Sequence, residues 1–201
     1  MDATGADTVL PFSNKKIYAD ALRDALTYAF VATDDMNFEE LVSLTKKIIG
    51  DRITVLDASG IRYAGKVLQA GNSSARYTNN TIQVKPYWES GARNGAGYFT
   101  TVPVPNSSKC TKLHVIASQA PDNSWMEAVI STKNTAYVNS PLGGGISGDT
   151  VKVLGTFSAE EKVFTIPDDY LGQDLYIGIY SMSFGATDNY GIITDIWLTI
   201  D

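Results

Sequence analysis

The sequence is poor in the groups that most enzyme chemistry needs. Its 201 residues hold one cysteine, Cys110, and one histidine, His114. A single cysteine excludes an internal disulfide framework and a cysteine-based zinc site. Cys110 itself reads as an inert, semi-buried residue at a strand entrance. His114 falls opposite Leu113 and Val115 with no triad motif around it, so it reads as a surface or interface residue and not as a general base. No apolar run approaches the roughly 20 residues of a membrane span. Residues 1–7 lack a basic stretch leading into an apolar core, so no export signal is expected there and synthesis in a cytoplasm is. Lys and Arg number 16 against 22 Asp and Glu, a net charge of −6. That balance speaks against a nucleic-acid interface and against an anionic membrane surface.

What is present is enough apolar material for a core, 44% of the chain, distributed with two different periods. Residues 1–12 read as an extended arm in which Val9-Leu10-Pro11-Phe12 forms a small apolar plug. From Lys15 to Val31 the apolar positions make two adjacent i, i+4 rows, Ile17/Ala21/Ala25/Ala29 and Tyr18/Leu22/Leu26/Phe30. That spacing predicts an amphipathic helix, with Ser13 or Asn14 as N-cap. A second helix is predicted with Asn37 as N-cap and Glu40 three residues on, a near capping-box pair. Its apolar face is Phe38, Leu41, Val42, Thr45, Ile48 and Ile49, and Gly50 suits its end. Residues 1–50 therefore read as an anchoring and oligomerisation module. Leu10, Phe12, Ile17, Leu22, Leu26, Phe30, Phe38 and Leu41 are its assembly residues. The competing expectation is a helical cap on a single domain.

After Gly50 the helical period does not return. Alternating apolar residues recur in about nine or ten short segments, the spacing of an all-β sandwich. The final 28 residues show it best. Leu175, Ile177 and Ile179 share a face, with Tyr176 and Tyr180 opposite. Ile192, Ile196, Leu198 and Ile200 are expected on one face of the last strand, with Asp195 and Trp197 on the other. A terminal strand this apolar must be paired inside a sheet. Ala75–Lys85 reads as two strands or one bulged strand around Asn79-Asn80. Residues 86–97 and 139–149 read as loops. The fold expected is mainly β: a jelly-roll-like antiparallel sandwich over residues 51–201, preceded by the arm and two short amphipathic helices.

Two local patterns resemble known families. Gly5-Ala6-Asp7-Thr8-Val9-Leu10-Pro11-Phe12, then a helix, then Asp35-Met36-Asn37-Phe38-Glu39-Glu40-Leu41, resembles the N-terminal part of virion proteins of tailed phages from gut bacteria. Tyr98-Phe99-Thr100-Thr101, Lys112–Val115, Phe164–Pro167, Leu175–Tyr180 and Ile196-Trp197-Leu198, in that order, resemble the C-terminal jelly rolls of such appendages. Those are similar to galactose-binding-like and carbohydrate-binding-module sandwiches. The resemblance implies a head-fibre, baseplate or tail-fibre subunit, made in a host cytoplasm and carried on a virion. It would be a dimer or trimer that also contacts other virion proteins. It transfers no binding residue.

Catalytic constellations are not found, and a non-enzymatic protein is expected. The acidic pairs Asp34-Asp35, Glu160-Glu161 and Asp168-Asp169 point apart from one another and read as caps or solvated turns. Gly143-Gly144-Gly145 lacks the Lys-Ser/Thr of a phosphate loop and reads as a loop tip. No cofactor is expected. A structural calcium held by Asp188, Asn189 and Asp195, or by Asp168 and Asp169, is the remaining metal candidate. The aromatics carry the functional lead. Trp125 follows Pro121-Asp122-Asn123-Ser124, Tyr87 and Trp88 lie in a Gly/Asn-rich stretch, and Tyr190 lies in another. Sugar C–H faces stack on flat rings while neighbouring Asp and Asn bond hydroxyls. Trp125, Asp122, Asn123, Tyr87, Trp88 and Tyr190 are thus candidate contacts to a bacterial surface glycan, set against the alternative that these rings fill core or interface. Two rival functions remain: a cellular carbohydrate-binding module, and a capsid decoration or connector protein that binds no glycan.

Overall fold

The computed structural model describes residues 36–37, 39–40, 52–89, 91–106, 109–138 and 145–200. The chain divides into two compact units, 1–51 and 52–201. In the first unit Asn37 and Glu40 make the reciprocal bonds of a capping box. The Glu40 amide donates to Asn37 Oδ1 at 2.9 Å and the Asn37 amide donates to Glu40 Oε2 at 2.8 Å. Two of the orphan donors that open a helix are thereby satisfied. The arm, the first helix, the assembly residues Leu10, Phe12, Ile17, Leu22, Leu26, Phe30, Phe38 and Leu41, and the Asp34-Asp35 pair lie outside the described residues.

The second unit is built of antiparallel sheets. Its strands are β1 (Ile53–Asp57), β2 (Gly60–Ile61), β3 (Gly65–Gln69), β4 (Ser74–Thr78), β5 (Thr81–Lys85), β6 (Tyr87–Glu89), β7 (Ala92–Asn94) and β8 (Ala96–Thr100). They are followed by β9 (Lys112–Gln119), β10 (Ser124–Ser131), β11 (Tyr137–Val138), β12 (Ile146–Ser147), β13 (Lys152–Phe157), β14 (Glu160–Thr165), β15 (Tyr176–Ser183) and β16 (Gly191–Thr199). A seven-stranded sheet runs β14-β9-β16-β1-β2, with β5 also pairing β16 and β4 pairing β5. A five-stranded sheet runs β13-β10-β15-β8-β3, and β6–β7 and β11–β12 form two small hairpins. From β13 onward each strand crosses to the other sheet, as in a jelly roll.

The main core lies between the sheets. Leu113 and Val115 of β9, Ile196 and Leu198 of β16, and Ile82 and Val84 of β5 come from one side. Met126, Ala128 and Ile130 of β10 and Ile177 and Ile179 of β15 come from the other. A short 3-10 turn at Asp168–Tyr170 carries the Asp168-Asp169 pair. Cys110 is fully buried in the core.

Several expectations are corrected. The pairing of β16 with β9 shifts register on either side of Ile193, and Ile193 becomes fully buried while Ile192 is only half-buried. A bulge adds a residue and restarts the alternation, so simple period-2 counting misassigned Ile192. Residues 86–97 are not all loop, because β6 and β7 pair there. Part of 139–149 is likewise ordered, with β12 pairing β11. Asn79 and Asn80 both have positive φ, 50° and 57°, and close a two-residue β4–β5 hairpin. That resolves Ala75–Lys85 as two strands, since Asn tolerates this region better than most residues.

The face of β15 opposite the core is also covered. Tyr180 is fully buried within a second cluster with Leu68, Phe99, Val129, Ala136 and Met182. Val138 and Ile146 of the β11–β12 hairpin pack against that cluster, with Val151 beside them. The outer face of the five-stranded sheet is therefore capped at one end. Its other end carries Trp125.

Candidate functional site

Trp125 and Glu127 are two residues apart on β10, so they share a face, and it is the outer one because Met126 and Ala128 point into the core. Met182 and Tyr180 of β15 stand opposite them in register, and Thr156 of β13 stands opposite Glu127 on the other side. The indole Nε1 of Trp125 donates to Glu127 Oε1 at 3.0 Å, which sets the plane of the ring. Burial pushes the Glu127 carboxyl above its ordinary value of 4.5, against the lowering effect of the indole bond.

Phe184 is the residue that sequence reasoning missed. It follows β15 directly and is 55% exposed. Its ring lies within 15° of parallel to that of Trp125, with centroids 5.8 Å apart. Backbone and side-chain bonds between the β9–β10 turn and the 184–190 loop hold it there. The Phe184 amide donates to Asn123 O at 2.9 Å, and Asn123 Nδ2 donates to Ala186 O at 2.7 Å. The Asp122 amide donates to Asn189 Oδ1 at 2.7 Å, and Thr187 Oγ1 donates to Asp122 O at 3.1 Å. Asn123 has φ 46°, the left-handed conformation that Asn accepts in a tight turn. Asn123 thus acts through its backbone and amide as a strut that places Phe184. The only sequence signals for the pair were the Asn/Asp turn beside Trp125 and an aromatic at the start of a Gly/Asn/Asp loop.

A cleft of about 490 Å³ opens on the other side of Trp125, between the start of β10 and the β13–β14 turn. Ser124, Trp125, Thr156, Glu160, Glu161 and Lys162 are among its walls. Glu160 and Glu161 prove to open strand β14, not to sit in a turn. Trp125 therefore stands between an exposed ring on one side and a polar cleft on the other.

The remaining candidates lie elsewhere. Tyr87 and Trp88 sit on the β6–β7 hairpin, which lies against β15, and Trp88 is 38% exposed. Tyr190 precedes β16. The Arg76 guanidinium lies 4.3 Å over its ring, and its hydroxyl donates to Ser74 Oγ at 3.2 Å. A ring covered by a cation offers a poorer stacking face than Trp125. On the outer face of the seven-stranded sheet, Arg52, Trp197, His114 and Glu161 form a ladder across four strands. The Arg52 guanidinium is 4.2 Å from the Trp197 ring centre, and the His114 ring stacks on Trp197 at 4.7 Å. His114 Nδ1 lies 3.1 Å from Glu161 Oε1 and Nε2 lies 2.9 Å from Thr199 Oγ1. Those groups engage one another. Among the described residues no three His, Cys, Asp or Glu side chains converge on a cation position. Asn189, a residue of the calcium candidate, spends its amide on Asp122 and Ala120.

No family model matches the sequence, and no curated protein does. Solved structures are similar in fold. The family 11 carbohydrate-binding module of the Clostridium thermocellum cellulosomal cellulase Lic26A-Cel5E is 15% identical over 75% of this chain and 95% of its own, with a TM-score of 0.43. The same family's module from that organism, in complex with a β-1,3-1,4-mixed-linked tetrasaccharide, is 12% identical over 74% of this chain and 95% of its own, at 0.41. A low-affinity xylan binding module, CBM86 from Roseburia intestinalis, is 8% identical over 69% of this chain and 96% of its own, at 0.35. None of these similarities shows a phage origin.

The state of Glu127 gives the first expected outcome. Its native pKa is raised by burial. The folded chain therefore holds a proton over a window where the unfolded chain has lost it, and stability falls as pH rises from 4.5 through the native value. Glu127→Gln should flatten that part of the stability curve and leave the neutral-pH protein at least as stable. Urea unfolding of both proteins at a series of pH values measures this, and equal slopes across the window would exclude a raised Glu127 pKa.

Proposed function

We propose that residues 52–201 form a non-catalytic glycan-binding module whose platform is Trp125 with Phe184 and whose hydroxyl acceptor is Glu127. One observation carries the reading: two near-parallel rings, one of them 55% exposed, are held in place by bonds between two loops. Exposed aromatics are common singly. Ordering two loops to hold an exposed ring against a half-buried one costs conformational entropy, which a binding role offsets. The polar groups around the rings, Glu127, Asp122 and Thr156, are of the kind that bonds sugar hydroxyls. The test is affinity electrophoresis of the full chain through gels cast with polysaccharides, wild type beside Trp125→Ala. Retardation of the wild type that the variant loses supports the module, and equal mobility in every gel removes it.

The virion setting is the second part of the proposal. It draws on the resemblance in residues 5–12 and 35–41 and on the Asn37–Glu40 capping box, which starts a helix where the assembly module needs one. A virion appendage subunit would be oligomeric through residues 1–50, and several millimolar sites on one oligomer would give useful avidity. Light scattering should then find a defined dimer or trimer for the full chain and a monomer for residues 52–201. Monomers in both cases would leave the module as a cellular carbohydrate-binding protein.

A further inference from the structure

We infer, on the footing of that glycan-binding reading, that the site selects neutral polysaccharide chains and rejects polyuronates and other anionic glycans. The charge around the platform is one-sided. Glu127 lies on the same strand face as Trp125 and is bonded to it. Glu160 lines the cleft on the other side of the ring, and Glu161, whose carboxylate bonds to His114, belongs to the same wall. Asp122 and Asp188 are exposed in the two loops that hold Phe184 beside Trp125. Among the described residues the one cation lining the cleft is Lys162. Lys85, which reaches the loop that carries Phe184, spends its ammonium on the backbone carbonyl of Asp188 and lies against Tyr190.

A carboxylate accepts hydrogen bonds and cannot donate them when ionised. Sugar hydroxyls can donate to Glu127, so a neutral chain finds an acceptor beside the stacking ring. A uronate carboxylate finds no guanidinium fork here, the group that proteins favour for recognising carboxylates. It meets instead like charges close to the stacking ring, where partial burial weakens solvent screening. Glu160 is also held with φ 108°, a conformation that side-chain-bearing residues adopt at a cost. The first position of β14 thus keeps an acidic side chain at the cleft where glycine would suit the backbone better. Specificity built from repulsion as well as attraction is a common device.

The experiment uses the full chain and two sets of polymers, at low and at high salt. The neutral set is mixed-linkage β-glucan, xylan, galactan and mannan, and the anionic set is polygalacturonate and alginate. Retention is expected on at least one neutral polymer, insensitive to salt, with at least tenfold weaker retention on both polyuronates. Added salt should strengthen what polyuronate binding there is, because it screens repulsion. The variant Glu160→Gln, which removes one like charge from the cleft wall, should narrow the gap several-fold while keeping neutral binding. The salt response of the wild type carries the same information without depending on the variant's folding. Polyuronate binding as tight as neutral binding, weakened by salt and lost in Trp125→Ala, would overturn the selectivity and leave the module standing. Absence of binding to both sets would overturn the module and the selectivity together.

Discussion

Trp125→Ala should weaken polysaccharide binding about 30-fold or more, corresponding to about 2 kcal/mol, the threshold of a central aromatic contact. The ring is the one group that touches both halves of the site, stacking near Phe184 and walling the cleft. Its loss also leaves Glu127 without its indole partner, so the carboxyl is free to turn from its position. Phe184→Ala is the informative companion. More than half of that side chain is already in water, so its removal should cost little stability while weakening binding several-fold. Calorimetric titration against the best-binding polymer, with unfolding curves for each variant, separates the two effects. Undiminished affinity in a folded Trp125→Ala protein would sink the platform, and attention would pass to Trp88, which is exposed on the β6–β7 hairpin.

Gly97→Ala should destabilise the sandwich by about 3 kcal/mol, the upper part of what overpacking usually costs. Gly97 lies on β8, between β15 and β3 in the five-stranded sheet, opposite Tyr180 of β15. A Cβ there would lie 2.6 Å from the carbonyl oxygen of Ile179 and 3.3 Å from Cα of Tyr180. Both are backbone atoms of the neighbouring strand and cannot swing away as a side-chain tip could. Gly178 does the same service opposite Phe99, so each large ring faces a glycine across the strand pair. The glycines let Phe99 and Tyr180 lie down on the sheet and form the covered end of its outer face. For a chain of this size the loss amounts to a fall in melting temperature of about 6–12 °C. A fall of less than a degree or two would mean that β8 can shift away from β15, and that the sheet is less tightly registered than its pairing implies.

How much was legible before the structure depends on which interaction sets each feature. The alternation of Leu113/Val115, Met126/Ala128/Ile130 and Ile177/Ile179 is local, and each of those residues is in the core. The Asn37–Glu40 pair is local too, three residues apart, and it forms. Ile192 was misplaced because a bulge depends on the partner strand, which a single strand's pattern does not encode. Whether Tyr180 faced water or a cover was not legible, since its cover comes from residues far along the chain such as Leu68, Phe99 and Ala136.

The site divides in the same way. Trp125 and its Asp-Asn turn were visible as a short motif. Phe184, 59 positions further on, joins them only through the pairing of β10 with β15 and the strapping of two loops. Tyr190 looked equivalent to Trp125 in sequence, but Arg76 covers its ring.

The sequence by itself therefore determined the class of architecture, the positions of the strand cores, the helix start at Asn37 and the acidic balance of the chain. These follow from side-chain period, capping chemistry and charge, all of which act over a few residues or over the whole composition. The tertiary structure alone decided which sheet each strand joined, which rings stayed exposed and which carboxylates gathered beside Trp125. Those outcomes are set by contacts between strands distant in the chain, where register and packing, not local pattern, choose a residue's neighbours.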